Sequence, residues 1–504
     1  MAARTLMIQG TGSHVGKSVI VAALCRFLRQ EGLRVAPFKS QNMSNNSYVT
    51  RDGGEIGRAQ GVQAEAAGVS PTVDMNPILL KPNSDTGAQV VVRGRPFKTL
   101  SAREYQFHTL SLLPLVHESL QRLRDEFDVV VIEGAGSPAE VNLQEYDIAN
   151  MRIAALAEAP VILVGDIDRG GVFASLIGTL ELLPVQDRSR IRAFLINKFR
   201  GDVSLLAPGL EFLERRTGIP TLGVLPYKEG LDLLEEDGLS DERIRRNRVR
   251  GDPDKISIDV VWFPRISNFT DFAPLDREPD VQLTYLRNVP HRFPDLLILP
   301  GTKSTIADLK YLRTSGFEDW IRTAVENGVT VIGICGGYQM LGREILDPLS
   351  AESDTKKTSG LDFFPTRTVF SLEKETRQIR ALHLESQKEV KAYEIHMGET
   401  TLVEDAPPVF EITNGNPERG KRLDGCSARG GQIWGTYLHG LFEDDGFRAH
   451  LLRPFRERKG LKDCVSEDYS IHKEKIYNEL AEWIRENINT RLFHQILENL
   501  TKSG

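Results

Sequence analysis

Apolar residues in the first half of the chain come in short unbroken runs, each closed by a glycine or a polar loop. Such runs are "TLMIQ" (Thr5 to Gln9), "DVVVI" (Asp128 to Ile132), "PVILV" (Pro160 to Val164), "AFLIN" (Ala193 to Asn197) and "TLGVL" (Thr221 to Leu225). Continuous rather than alternating apolarity predicts strands covered on both faces, as a parallel sheet requires. The intervals leave room for crossover helices. The first of these is legible in "SVIVAALCRFLRQEG", where Ile20, Leu24 and Leu28 recur at helical spacing and Gly32 ends the run. Cys25 shares that apolar face and reads as an inert core thiol.

The charged, turn-rich stretch "SDERIRRNRVRGDPDK" interrupts the pattern, which restarts at "ISIDVVWFP". "DLLILPGTKST" and "GVTVIGICGGYQML" then each give a strand running into a glycine loop, and "YNELAEWIRENINTRLFHQIL" has helical periodicity. The predicted organisation is α/β throughout: a first domain over 1–238, a linker over 239–255, a second domain over 256–455 and a C-terminal helical extension over 456–504. A length of 504 residues suits more than one core.

Composition narrows the function. With 63 basic against 70 acidic residues, the net charge of -7 gives no support for nucleic-acid binding. No run approaches the ~20 apolar residues of a membrane span, and the N-terminal sequence lacks a signal-peptide pattern. The four cysteines, Cys25, Cys335, Cys426 and Cys464, form no metal-binding or redox spacing. Isolated thiols in a long chain suit a reducing compartment, so the expectation is a cytoplasmic enzyme.

The chemistry sits in the loops after the strands, where open α/β sheets place ligands. "GTGSHVGKS" (Gly10, Thr11, Gly12, Ser13, His14, Val15, Gly16, Lys17, Ser18) lies at a strand-to-helix junction. Its backbone N–H groups can cradle phosphate, Lys17 can reach the outer phosphates, and Ser18 can hold Mg²⁺. It is a variant of the phosphate-loop pattern: five residues separate Gly10 from Gly16, and Thr11 stands where glycine is usual. Lys39 is either a second phosphate ligand or a solvated loop lysine. Glu133 closes a strand above the same edge and suits Mg²⁺, the alternative being a helix cap; Asp52 is a weaker metal candidate. Asn197 follows another strand and could read a base edge. Glu55, Asp166, Asp168 and Arg169 are candidate substrate or activation residues, with a capped turn as the bland reading of the last three.

In "VIGICGGYQM", Cys335 occupies a tight strand-to-helix turn between glycines. Such a turn exposes a thiol near a helix N-terminus and favours its thiolate. The N–H of Gly336, with one near Gly301, could form an oxyanion hole. Two histidines compete as the base: His439 in "QIWGTYLHGLF" and His396 in "YEIHMGET", whose surroundings read as a strand end and loop. His396 could instead contact substrate.

These stretches together resemble the cobyric acid synthase family, over essentially the whole length. "GTGSHVGKS" and "EGAGSP" are similar to the dethiobiotin-synthetase-like ATPases, with a P-loop NTPase-like parallel sheet. "QNMSNNS", "DGGEIGRAQ" and "GDIDRGGVFAS" look like the cobyric acid synthases themselves, and "GICGGYQML" with "YLHGLF" resembles a class I glutamine amidotransferase domain. The resemblance implies ATP and Mg²⁺ as cofactors with no protein-bound prosthetic group, cobalt entering only within a corrinoid substrate. It implies Cys335 as the nucleophile toward glutamine, His439 as its base, and Lys39 as a second phosphate-binding lysine. The implied acceptor is adenosylcobyrinic acid a,c-diamide, amidated at its b, d, e and g carboxylates. Corrinoid, glutamine and ATP are the expected partners, with a homo-oligomer left open. One departure stands out. Amidotransferases usually carry a glutamate two residues after the histidine, and here that position is Leu441, so the triad acid is expected to be absent. The competing readings are a cobyrinic acid a,c-diamide synthase, and a nucleotide switch with a vestigial amidotransferase domain.

Overall fold

The computed structural model describes residues 3–228, 252–414, 422–462 and 468–498. They fall into two compact units: 3–44, 55–228 and 473–498 in the first, and 45–54, 252–414, 422–462 and 468–472 in the second. Of the expected linker, residues 239–251 lie outside the described residues, as does Cys464.

The unbroken apolar runs become the central sheet of the first unit. Its six strands stand in the order Thr221–Pro226, Ile191–Phe199, Val161–Asp166, Arg4–Gly10, Val129–Glu133, Val35–Phe38. All neighbours are parallel. Strands such as Val161–Asp166 are buried at every position, because helices cover both faces. The helix Lys17–Gln30 supplies part of that cover, with Ile20, Leu24, Leu28 and Cys25 all buried. Arg4–Gly10 lies between the third and fourth strands in chain order, so the loop after it opens at the switch point of the sheet. A separate four-stranded sheet, Gln41–Met43, Ile78–Pro82, Gly87–Val92 and Arg95–Ser101, was not legible in the apolar pattern.

The terminal helical segment divides. Helix Asp445–Lys459 runs through residues 455 and 456, where the sequence reading ends the second domain. Its buried Arg448 and Arg456 bind Glu278 and Asp280 of the second unit. Residues from Lys473 onward group with the first unit. There the buried Arg26 guanidinium donates to Glu474 at 2.6 Å, and the Trp483 indole donates to the Pro226 carbonyl at 3.1 Å.

The second unit has its own six-stranded sheet, ordered Val281–Leu286, Ile256–Val261, Leu296–Leu299, Thr330–Ile334, Ile433–Thr436, Cys426–Ala428. It is parallel except for the last pair. A long antiparallel hairpin, Phe364–His383 with Lys388–Leu402, builds a further sheet. The short strand Leu438–His439 pairs with Tyr393 and Glu394 of that hairpin. His396 therefore lies inside a strand rather than at the expected strand end. No helix among the described residues is long and apolar enough to cross a membrane.

Candidate active site

Cys335 sits between the strand Thr330–Ile334 and the helix Gly336–Leu341. Its backbone, at φ 51° and ψ -107°, occupies a region that costs a side-chain-bearing residue roughly 1–3 kcal/mol. The surrounding glycines make the turn possible. A Cβ on Gly336 would stand 2.7 Å from the Thr302 methyl and 3.1 Å from the Thr302 nitrogen. The Cys335 N–H is held by the Thr436 carbonyl at 2.8 Å, and the thiol points to the Ile395 carbonyl at 3.6 Å. The loop after Leu296–Leu299 thus packs on the Cys335 turn. A Cβ on Gly301 would lie 3.0 Å from His439 Cε1. The structure gathers Cys335, Gly336, Gly301 and His439 in one place.

His439 is buried, and its Nδ1 bonds to Asp271 Oδ2 at 2.6 Å. Burial alone would lower the imidazolium pKa. The Asp271 carboxylate, with a smaller contribution from Cys335, outweighs it and pushes the ring up to about 10. With Nδ1 taken by Asp271, the buried Nε2 is the ring nitrogen left for the Cys335 thiol, whose hydrogen bond and charge add to the upward shift. Asp271 is held in turn. The Tyr393 hydroxyl donates to its Oδ1 at 3.0 Å, and the Tyr393 ring stacks on His439 with centroids 5.1 Å apart and planes within 14°. A carboxylate therefore does meet His439, supplied from 168 residues upstream rather than from the position two residues after it. Asp271 lies in "SNFTDF", on the 3₁₀ turn Phe269–Phe272 that follows the strand Ile256–Val261. No spacing relative to His439 marks it in the sequence.

His396 takes another place. Its ring stacks on Tyr437 at 3.8 Å, Nδ1 bonds to the Gly398 carbonyl at 3.1 Å, and Nε2 is buried without a partner among the described residues. Burial pulls it down to about 4 despite the nearby Glu394 carboxylate. It is a neutral ring one residue beyond the carbonyl facing the thiol.

In the first unit the phosphate loop closes on the edge above Glu133. Lys17 Nζ donates to the carbonyls of Gly12 at 2.9 Å and Gly136 at 3.1 Å. Ser18 Oγ, Lys39 Nζ and Gln63 Nε2 all donate to the Glu133 carboxylate, at 2.8, 2.9 and 2.5 Å. Burial favours the neutral acid, but Lys39 and the donated hydrogen bonds win and hold Glu133 below the usual carboxylate range. The serine hydroxyl beside an ionised carboxylate is an all-oxygen donor pair that fits Mg²⁺. Gln63, which orients this carboxylate, was not anticipated.

The loop's other neighbours are specific. Gly16 has φ 98°, and a Cβ there would meet the Asn197 amide nitrogen at 2.3 Å. That amide donates to the Val15 carbonyl at 2.8 Å, so Asn197 buttresses the loop. Lys198 donates to the His14 carbonyl at 2.6 Å and to Asp166 at 2.8 Å. Thr11 donates its N–H to the Val164 carbonyl, while Ser13 and His14 form the exposed crest of the loop. Asp168 pairs with Arg200 at 3.3 Å, and the exposed Arg169 reaches Asp166 at 3.8 Å. Glu55 forms a buried ion pair with Lys81 at 2.5 Å. Asp52 belongs to the second unit and accepts a hydrogen bond from Thr50 at 2.5 Å. Among the described residues, no group of three or more His, Cys, Asp or Glu could hold a metal by itself.

The fold and the two clusters define a class: a nucleotide-binding unit joined to a glutamine amidotransferase unit. Residues 6–240 match the CobQ/CobB/MinD/ParA nucleotide binding domain, and residues 257–447 match the CobB/CobQ-like glutamine amidotransferase domain. The cobyric acid synthase of Desulforamulus reducens is 48% identical, covering 98% of this chain and 98% of the relative. That of Streptococcus sanguinis is also 48% identical, covering 99% of this chain and 100% of the relative. The chain belongs to the cobyric acid synthase family, as its motifs implied.

Proposed function

We propose that the chain amidates the b, d, e and g carboxylates of adenosylcobyrinic acid a,c-diamide, using ATP and glutamine, to give adenosylcobyric acid. The observation that carries this reading is the Cys335–His439–Asp271 cluster on a chain whose other unit gathers Lys17, Lys39, Ser18 and Glu133. In the amidotransferase unit, the Cys335 thiolate attacks the side-chain carbonyl carbon of glutamine. The N–H groups of Gly336 and of the Gly301 loop face the oxyanion. His439 gives its proton to the leaving nitrogen, and ammonia departs from a γ-glutamyl thioester. Water, deprotonated by His439, then releases glutamate and restores the thiol. Asp271 keeps the Nδ1 proton in place and offsets the imidazolium charge.

In the nucleotide-binding unit, a carboxylate needs activation because oxide is a poor leaving group. Transfer of the γ-phosphoryl group to a substrate carboxylate gives an acyl phosphate, and ammonia displaces phosphate. Lys17 and Lys39 offset the charge on the phosphoryl oxygens. Ser18 and Glu133 would hold Mg²⁺, which supplies charge neutralisation when bound.

The test is incubation with ATP, Mg²⁺, glutamine and adenosylcobyrinic acid a,c-diamide, followed by product mass. Each acid-to-amide conversion lowers the mass by about 1 Da, and a stepwise loss ending at four conversions is expected. No mass change with glutamine or ammonia overturns the acceptor assignment and returns the a,c-diamide synthase reading.

A further inference from the structure

The chain leaves the first unit after Ser44, spends Asn45–Gly54 in the second, and returns to the first at Glu55. This excursion does not lie idle on the surface. Asn46 and Asn268 are buried and exchange hydrogen bonds with each other's strands of chain. Asn268 Oδ1 accepts the Ser47 N–H at 2.8 Å, and Asn46 Oδ1 accepts the Phe269 N–H at 3.1 Å. Asn268 has φ 53° and heads the 3₁₀ turn Phe269–Phe272. The excursion is fastened further along as well. The Val49 carbonyl accepts the Gln378 amide at 2.9 Å, and Gly53 lies so close to the Thr376 carbonyl that a Cβ would stand 2.8 Å away.

The turn that begins at this clasp carries Asp271. A carboxylate 2.6 Å from an imidazole is sensitive to small displacements of its backbone. The Asn46 side chain caps the first N–H of that turn, much as an asparagine caps a helix. We propose that Asn46 is a positioning residue of the glutaminase, fixing the Asp271 turn and through it the protonation and orientation of His439. The glutaminase is then not self-contained within residues 257–447. One of its supports is encoded between Lys39 and Glu55, in the nucleotide-binding half of the sequence. This rests on the amidotransferase reading of Cys335 and His439.

The experiment compares full-length native protein with Asn46→Ala and Asn46→Asp, measuring glutamate release across pH and, separately, corrinoid amidation driven by ammonia. Loss of one positioning hydrogen bond predicts a ~10-fold fall in glutaminase kcat for Asn46→Ala, with KM for glutamine unchanged. The alkaline limb of its pH profile moves to lower pH, because a displaced Asp271 supports the imidazolium less. Ammonia-driven amidation keeps its rate. Asn46→Asp retains an acceptor oxygen for the Phe269 N–H and restores kcat, which separates positioning from folding. Native kcat and pH profile in Asn46→Ala overturn the proposal. So does an equal loss of glutamine- and ammonia-driven rates, or an Asn46→Asp variant as impaired as the alanine. Failure of the native protein to hydrolyse glutamine instead overturns the underlying amidotransferase reading.

Discussion

Replacing Asp271 by Asn tests the catalytic geometry most directly, because it removes a charge while keeping shape and burial. The His439 imidazolium is raised from 6.5 to about 10 against the opposing effect of burial. At ~1.4 kcal/mol for each pH unit, that is roughly 5 kcal/mol of net preference for the charged ring, what remains of the Asp271 and Cys335 contributions once burial has opposed them. Asp271 supplies the larger part. In Asp271→Asn the ring loses that support and burial takes over, so His439 becomes neutral at working pH and free to adopt the wrong tautomer. Glutaminase activity should fall ~10²–10⁴-fold, the range expected when a triad acid loses its charge. The assay is glutamate release from glutamine, with ammonia-driven amidation in the same preparation as internal control. Linkage adds a second readout. A raised folded pKa stabilises fully below pH 6.5 and loses that contribution as pH rises through about 10. The variant should therefore be most destabilised in mild acid and approach the native protein at high pH. Native glutaminase rates together with a pH-independent stability difference would refute the reasoning.

Three further expectations follow from the same geometry. Cys335→Ala should abolish glutamine-driven amidation and leave the ammonia-driven reaction intact, read by product mass with each nitrogen source. Glu133→Gln should stop amidation from both sources. It should also cost about 3–5 kcal/mol in chemical denaturation, because Lys39 is left buried without its counter-charge. His396, held down to about 4 by burial, refuses a proton that the unfolded chain accepts below 6.5. Stability should then fall as pH drops from 6.5 toward 4, by up to ~1.4 kcal/mol per pH unit, and His396→Asn should remove that component. A native-to-variant difference that stays constant between pH 7 and pH 5 would contradict it.

The apolar runs made the sheet of the first unit legible, since a strand buried on both faces leaves no polar residue to break its pattern. The run Val161–Asp166 is buried throughout and was anticipated within two residues at its end. The hairpin Phe364–His383 with Lys388–Leu402 was not. Its burial alternates with period two over Phe364 to Phe370 and again over Ile379 to His383, but the stretch between has no buried position, so the period does not hold over its length. His396 was misplaced at a strand end for the same reason. The phosphate loop, Cys335 and Glu133 were legible because each stands at the end of an apolar run and carries chemistry in its own residue type.

Asp271 escaped because nothing in its local sequence distinguishes it from a turn residue; Asn46 lies in "QNMSNNS", a stretch singled out by resemblance, but nothing there marks it as a positioning residue. "SNFTDF" and "SNNSY" are ordinary loop compositions, rich in side chains that cap backbone N–H groups. Their roles arise from tertiary pairing: Asn46 with Phe269, Asn268 with Ser47, and Asp271 with His439. A triad acid placed two residues after its histidine is a spacing that can be searched. An acid delivered by another strand's loop is a matter of topology, because the sheet order sets Ile256–Val261 beside Leu296–Leu299 and so brings the two following loops together. The isolated bridge between Ile266 and Thr302 joins those loops, one leading to Asp271 and the other packing on Gly336. That bridge is thus shared by the Asp271 loop and the Gly301 loop, and it adds to the Asn46 and Tyr393 contacts on the Asp271 side. A substitution that loosens that bridge should impair proton transfer and oxyanion binding together, whereas Asp271→Asn impairs only the first.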